Sequence, residues 1–198
     1  MKYAVLIPAL LTFAFVAHAS ENSDQHEHTS KYAGQEQRTI KSLSPDDISE
    51  LQRGGGWGLA KAAELNGVPG PAHLLELKDQ IPLSADQVSQ ITRIFEEMKA
   101  HAVELGLKLI DLEQGLEQHF QNRTITDEIL RSSLTEISGV RNSLRYTHLA
   151  THLMTPNILS EEQINKYNAL RGYGAADPCD NVPEGHSAEM WRKHNGCE

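Results

Sequence analysis

The chain has 198 residues, 39% of them hydrophobic, with a formal net charge of −9 and two cysteines. That suffices for one domain with a real core. An acidic chain without a basic stripe argues against nucleic acid and anionic membrane surfaces as partners, and suits cations or basic, unfolded clients.

Lys2, the apolar run from Ala4 to Val16 and the small-x-small triplet Ala17-His18-Ala19 read as a signal peptide over residues 1–19. The run is too short to span a bilayer. An uncleaved anchor is the alternative. No other stretch is long and apolar enough for a transmembrane segment, so a soluble, exported, periplasmic protein starting near Ser20 is expected. Residues 20–43 are polar, contain His26-Glu27-His28, and read as a disordered arm.

Ser44-Pro45-Asp46-Asp47 starts a short helix, with a capping Ser, Pro at the first helical position and two acids in the first turn. Gly54-Gly55-Gly56 stops it. Trp57 to Leu65 can form another turn or two before Asn66-Gly67. Pro69-Gly70-Pro71 is a rigid corner, and His73 to Gln80 reads as a short helix. From Ser84, apolar residues at Val88, Ile91, Phe95, Met98, Ala102, Leu105, Leu109, Leu112, Leu116 and Phe120 recur at steps of three and four, predicting one long helix. Leu107 and Ile110 widen its apolar face beyond a two-stranded seam. After Asn122-Arg123-Thr124, a second long helix starts at Thr126-Asp127-Glu128 and carries Ile129, Leu130, Leu134, Ile137, Leu144 and Leu149. Pro156 stops it. A last helix runs from Ser160 to the glycines at 172 and 174. No stretch alternates with period two. The expected fold is all-α: a long antiparallel helical hairpin with short flanking helices in a domain spanning 44–173, followed by a tail, 174–198. Both cysteines lie in that tail. Export favours a Cys179–Cys197 disulfide, with a Cys/His metal clip through His186 and His194 as the alternative.

Leu83-Ser84-Ala85-Asp86-Gln87 and Leu159-Ser160-Glu161-Glu162-Gln163 nearly repeat each other, each leading into a helix. With the intervening helical pair and the export signal, they resemble the Spy/CpxP group of periplasmic proteins, the LTxxQ-motif superfamily, over roughly residues 70–173. Ser stands here where that motif has Thr, and either hydroxyl can cap a helix. The resemblance implies a homodimeric, non-enzymatic envelope-stress protein that binds unfolded periplasmic clients or a membrane-bound sensor. Some relatives bind heavy metals instead. It also implies a structural role for the motif, tying the hairpin ends together, so no catalytic residue is carried over.

His148 and His152, spaced i, i+4, share one helix face, and two imidazoles at that spacing can chelate a divalent transition metal. In the metal-sensing relatives, a helix in a comparable place carries a His and a Met at this spacing. His152 stands where that Met would be, which favours zinc, nickel or copper(II) over metals that prefer soft ligands; cobalt completes the expected panel. Folding the hairpin about residue 123 sets residue 148 opposite 98, making Glu97 and His101 the nearest further ligands. His73, with Glu76 one turn on, can approach from another side. His119 lies at the far loop. The alternative is a His pair hydrogen-bonded at a bundle edge, with Glu97, Glu104 and Arg145 satisfying it. No phosphate loop, nucleophile elbow or His-Glu-x-x-His motif points to an enzyme.

Overall fold

The structure, a computed structural model, describes residues 30–173, 179, 182–183 and 185–197. The signal peptide, its cleavage site, the first part of the arm and Gly174 lie outside them. The chain divides into two units after Gly34. Residues 30–34 form a turn in which the Ala33 N–H donates to the Ser30 carbonyl (2.9 Å).

Among the described residues the structure is all-helical: α1 Pro45–Gln52, α2 Lys61–Glu64, α3 Pro71–Glu76, α4 Ala85–Gln121, α5 Asp127–Met154, a 3-10 turn Thr155–Asn157, α6 Glu161–Arg171 and α7 Ala188–His194. No described helix is long and apolar enough to cross a membrane. The third helix is shorter and earlier than the sequence suggests, because Pro71 takes its first turn and Leu77 already leaves helical geometry. Pro156 does not end the helical path at once, since it sits in the first turn of the 3-10 segment, where its missing N–H has no partner to lose.

α4 packs against α5, α1 and α3. Its buried stripe is Ile91, Ile94, Met98, Ala102, Gly106, Leu109 and Glu113. Phe120, which the periodicity puts on the seam, is more than half exposed. Gly106 is there for closeness, since a Cβ would collide with the Leu51 carbonyl at the end of α1. Glu113 is buried yet satisfied, accepting from Arg141 Nη2 (2.7 Å) and Ser42 Oγ (2.8 Å). Glu113 meets Arg141, while Met98 meets Thr151 (Sδ to Oγ1 3.8 Å), so contacts run in opposite chain directions along the two helices.

The apolar interior is in two parts. One gathers Ile40, Leu43, Leu51, Ala102, Leu109, Ile137, Val140 and Leu144. Ile40 and Leu43 belong to the stretch read as a polar arm up to residue 43. Two apolar side chains among polar ones give no periodic signal, yet both are buried against α4. The other part gathers Leu74, Ile81, Ile91 and Tyr167 near the free ends of the long helices.

The two Leu-Ser-x-acid-Gln segments face each other across that second cluster. Each Ser accepts from the backbone N–H of its own Gln and each Gln returns the bond, forming a reciprocal capping box. The two glutamines also bond to one another. Gln87 Nε2 donates to Gln163 Oε1 (2.8 Å) and to the Ile158 carbonyl (2.7 Å). Gln163 Nε2 donates to Gln87 Oε1 (3.0 Å) and to the Pro82 carbonyl (2.8 Å). Each amide therefore caps its own helix and clasps the start of the other. Only a group that both accepts and donates can do this.

Glu is otherwise a favoured residue at this capping position, so Gln87→Glu isolates the clasp. It keeps the capping acceptor, loses both donations and sets a negative charge against Gln163 Oε1. Urea unfolding at neutral pH should show a loss of about 1–3 kcal/mol. Unchanged stability would mean the glutamine pair holds nothing together.

Candidate functional site

The polar exceptions to the apolar interior gather between its two parts. On α5 the buried stripe continues from Leu144 through His148, Thr151 and His152. His148 is 4% and His152 5% exposed. On α4, Met98 lies between Ile91 of one cluster and Ala102 of the other. A third wall comes from the corner preceding α3. His152 Nδ1 lies 2.8 Å from the Val68 carbonyl, and Thr155 Oγ1 donates to the Pro69 carbonyl (2.5 Å). Two successive loop carbonyls are thus held by the end of α5. Where the loop passes closest, the residue is Gly70: a Cβ there would lie 2.6 Å from His152 Cε1 and 2.7 Å from Nε2. Only glycine lets the loop pass this close to the imidazole.

Gly70, Met98, His148, Thr151 and His152 line an open cavity of ≈ 540 Å³ together with His73 and Glu76 of α3, Phe95 of α4 and the Gly54–Gly58 loop. Trp57, in that loop, is held in place from two sides. Its Nε1 donates to Asp47 Oδ1 (2.8 Å), and the Arg141 guanidinium lies over its ring at 5.2 Å.

The state of each imidazole follows from its neighbours. A carbonyl can only accept, so His152 Nδ1 carries the proton in that bond. His73 Nδ1 faces Glu64 Oε1 (2.5 Å) in the same way. Glu64 is a hub: Tyr167 OH (3.1 Å), Arg171 Nη2 (3.2 Å) and Tyr173 OH (3.1 Å) also donate to it. Burial alone would raise its pKa, but the facing His73 and Arg171 and the donated hydrogen bonds hold it below the usual carboxylate value. Tyr167, buried beside that carboxylate, is pushed well above an ordinary phenol.

His148 differs. Its Nε2 is buried with no hydrogen-bond partner. Burial, and secondarily the nearby His152, lower its pKa below 6.5. An unpartnered nitrogen inside a protein costs about 1–3 kcal/mol. A backbone carbonyl or carboxylate behind a ring, with the other nitrogen free, is the usual support for a metal-binding histidine.

His148, His152 and His73 of the five expected ligands therefore share one cavity. Glu97 and His101 do not line it and are exposed. They come one residue before the buried Met98 and Ala102, about 100° round the helix at 3.6 residues per turn, which turns them outward. His119 is at the loop end, against Thr124 (3.0 Å). Among the described residues, no three His, Cys, Asp or Glu side chains converge closely enough to enclose an ion. Sequence reasoning missed Met98, assigned to the core, and Glu64, Gly70 and Thr151. One available signal was the helical step itself, which carries the α5 seam straight from Leu144 to His148.

In the tail, Cys179 and Cys197 form a disulfide with Cα atoms 5.4 Å apart, leaving no free thiol among the described residues. A Cys/His clip would need those thiolates. The loop so closed contains α7, in which His194 Nδ1 lies 2.7 Å from the Met190 carbonyl and His186 sits edge-on to Trp191.

Comparison with known protein families, with curated proteins and with solved structures finds no match.

The lowered pKa of His148 sets a sign. Below pH 6.5 the unfolded chain takes up a proton at this position that the folded chain resists, so stability falls as the pH drops. Above pH 6.5 the contribution is fully present. His148→Leu replaces the unpartnered nitrogen with apolar volume. In metal-free protein it should be about as stable as the parent at pH 7 and more stable at pH 5.5, by urea unfolding. A parallel pH dependence in both proteins would show that His148 is not buried neutral.

Proposed function

We propose that this chain is an exported, non-enzymatic helical binding protein of the Spy/CpxP kind, and that its working site holds a divalent transition metal, drawn from zinc, nickel, cobalt and copper, through His148 and His152. The observation that carries this is a buried imidazole nitrogen without a partner, His148 Nε2, in the lining of the same cavity as His152, whose ring is oriented by its bond to the Val68 carbonyl. His73, tied to Glu64, supports the same reading from α3. Imidazole is a good ligand for all four metals. The glutamine clasp supports the kinship, since it gives the repeated motif a mechanical role at the ends of the long helices. The opposed order of the α4–α5 contacts supports a hairpin. Leu107 and Leu134, each 46% exposed, support a homodimer.

A second reading rests on a separate observation. Leu153 and Tyr146 on α5 are 74% and 70% exposed, seven residues apart and so on one helix face. Large apolar side chains held in water suit weak, reversible binding of an unfolded client or a membrane-bound sensor.

Thermal unfolding of metal-stripped protein against the four metals separates these readings. A ligand specific for the folded state adds about 2.7 kcal/mol at roughly 100 times its Kd, a rise of about 5–10 °C at this size. The rise should vanish in the His148→Ala/His152→Ala double variant. If no metal shifts the parent and the protein instead delays aggregation of a denatured client, the second reading replaces the first.

A further inference from the structure

We infer that the divalent ion is bound together with a small polycarboxylate chelator, with Lys61 and Lys99 reading the chelator's carboxylates while the histidines take the metal; this rests on the metal-binding reading above and names the form in which the ion is held.

The cavity is far larger than an ion. At ≈ 540 Å³ it falls in the range of small-molecule sites, roughly 300–1,000 Å³. Its protein donors are few. His73, the third histidine in the lining, is committed to Glu64 through Nδ1 (2.5 Å). Among the described residues, no three His, Cys, Asp or Glu side chains converge closely enough to enclose an ion. A divalent transition metal takes about four ligands or more. The His pair leaves at least two positions to be filled from the cavity side, and a chelator with two carboxylate oxygens fills them.

Charge says what kind of guest fits. Three carboxylates and three cations line the cavity. Glu50 is paired with Arg53. Glu64 is taken up by His73, Arg171 and the hydroxyls of Tyr167 and Tyr173. Glu76 stands 4.0 Å from His73 Nε2, with its side chain 67% exposed. Lys61 and Lys99, by contrast, have no carboxylate partner among the described residues. Both run along the glycine-rich loop. A Cβ on Gly58 would lie 3.2 Å from the Lys61 side chain, and one on Gly54 3.3 Å from that of Lys99. The loop's bare backbone thus sets two uncompensated ammonium stems along one wall, against a single exposed carboxylate. Two such charges repel a naked dication. An ion wrapped in several carboxylates carries net negative charge and is drawn to the same lysines.

The remaining walls suit a carbon skeleton. Trp57 and Phe95 line the cavity with Ala60 and Ala72, and mostly apolar walls with a few placed polar groups are what small-molecule sites present.

The test is isothermal titration of the full metal-free chain with nickel(II) alone, citrate alone and one-to-one nickel citrate, with native mass spectrometry for stoichiometry. Parent, Lys61→Gln/Lys99→Gln and His148→Ala/His152→Ala are compared. Both lysines are exposed and Gln is a good helix former, so the fold survives. One nickel and one citrate should bind per chain, more tightly than nickel alone. The lysine double variant should weaken nickel citrate about tenfold or more and bind bare nickel no more weakly than the parent. The histidine double variant should lose both. Citrate that merely strips nickel from the chain, citrate that binds as well without metal, or nickel citrate held equally by the lysine variant overturns the inference. If bare nickel still binds through the His pair in those cases, the metal reading stands. If nickel binds in neither form, both fail.

Discussion

An imidazole buried without a hydrogen-bond partner is the constraint around which this fold is arranged. His148 occupies a seam position of α5 where an aliphatic residue would pack without loss. The apolar interior is in two clusters, and neither includes it. Its free nitrogen costs about 1–3 kcal/mol, a large fraction of a typical domain's net stability. His152 is oriented by the Val68 carbonyl, Gly70 lets the loop pack closely against its ring, and the α3 wall is fixed through His73 and Glu64.

The elements around the cavity are tied at both ends. Toward the α4–α5 loop, the cluster of Leu109, Ile137, Val140 and Leu144, with the satisfied Glu113–Arg141 pair, locks the long helices together. Toward their free ends, the reciprocal Gln87–Gln163 amides join the start of α4 to the start of α6. The corner at residues 68–70 bridges the two regimes, because its carbonyls are held by His152 and Thr155. Movement of α5 is therefore coupled to the loop and α3 through the same histidine that faces the cavity.

The helices were legible because their signals are local. Ser44, Ser84, Thr126 and Ser160 cap as their sequence context says, and steps of three and four marked α4 and α5. The His pair was legible for the same reason. What the sequence concealed depends on which face of a helix turns inward. A register drawn by folding the chain pointed to Glu97 and His101, and a rotation of one residue exchanges them for Met98 and Ala102. Ile40 and Leu43 were concealed by their polar neighbours, since burial there is decided by α4, far along the chain. The hub at Glu64 draws on residues 64, 73, 167, 171 and 173, a grouping that no local pattern encodes.

The central claim is that His148 and His152 hold one metal. Nitrogen-15 spectra of the imidazoles, recorded at neutral pH on metal-free protein and again with one equivalent of metal, test it most directly. The account predicts a neutral His148 with an unprotonated nitrogen before addition, and shifts afterward confined to His148, His152 and the neighbouring His73, with His101 and His119 unmoved. A protonated His148 at the outset, or metal-induced shifts centred on other histidines, would contradict it.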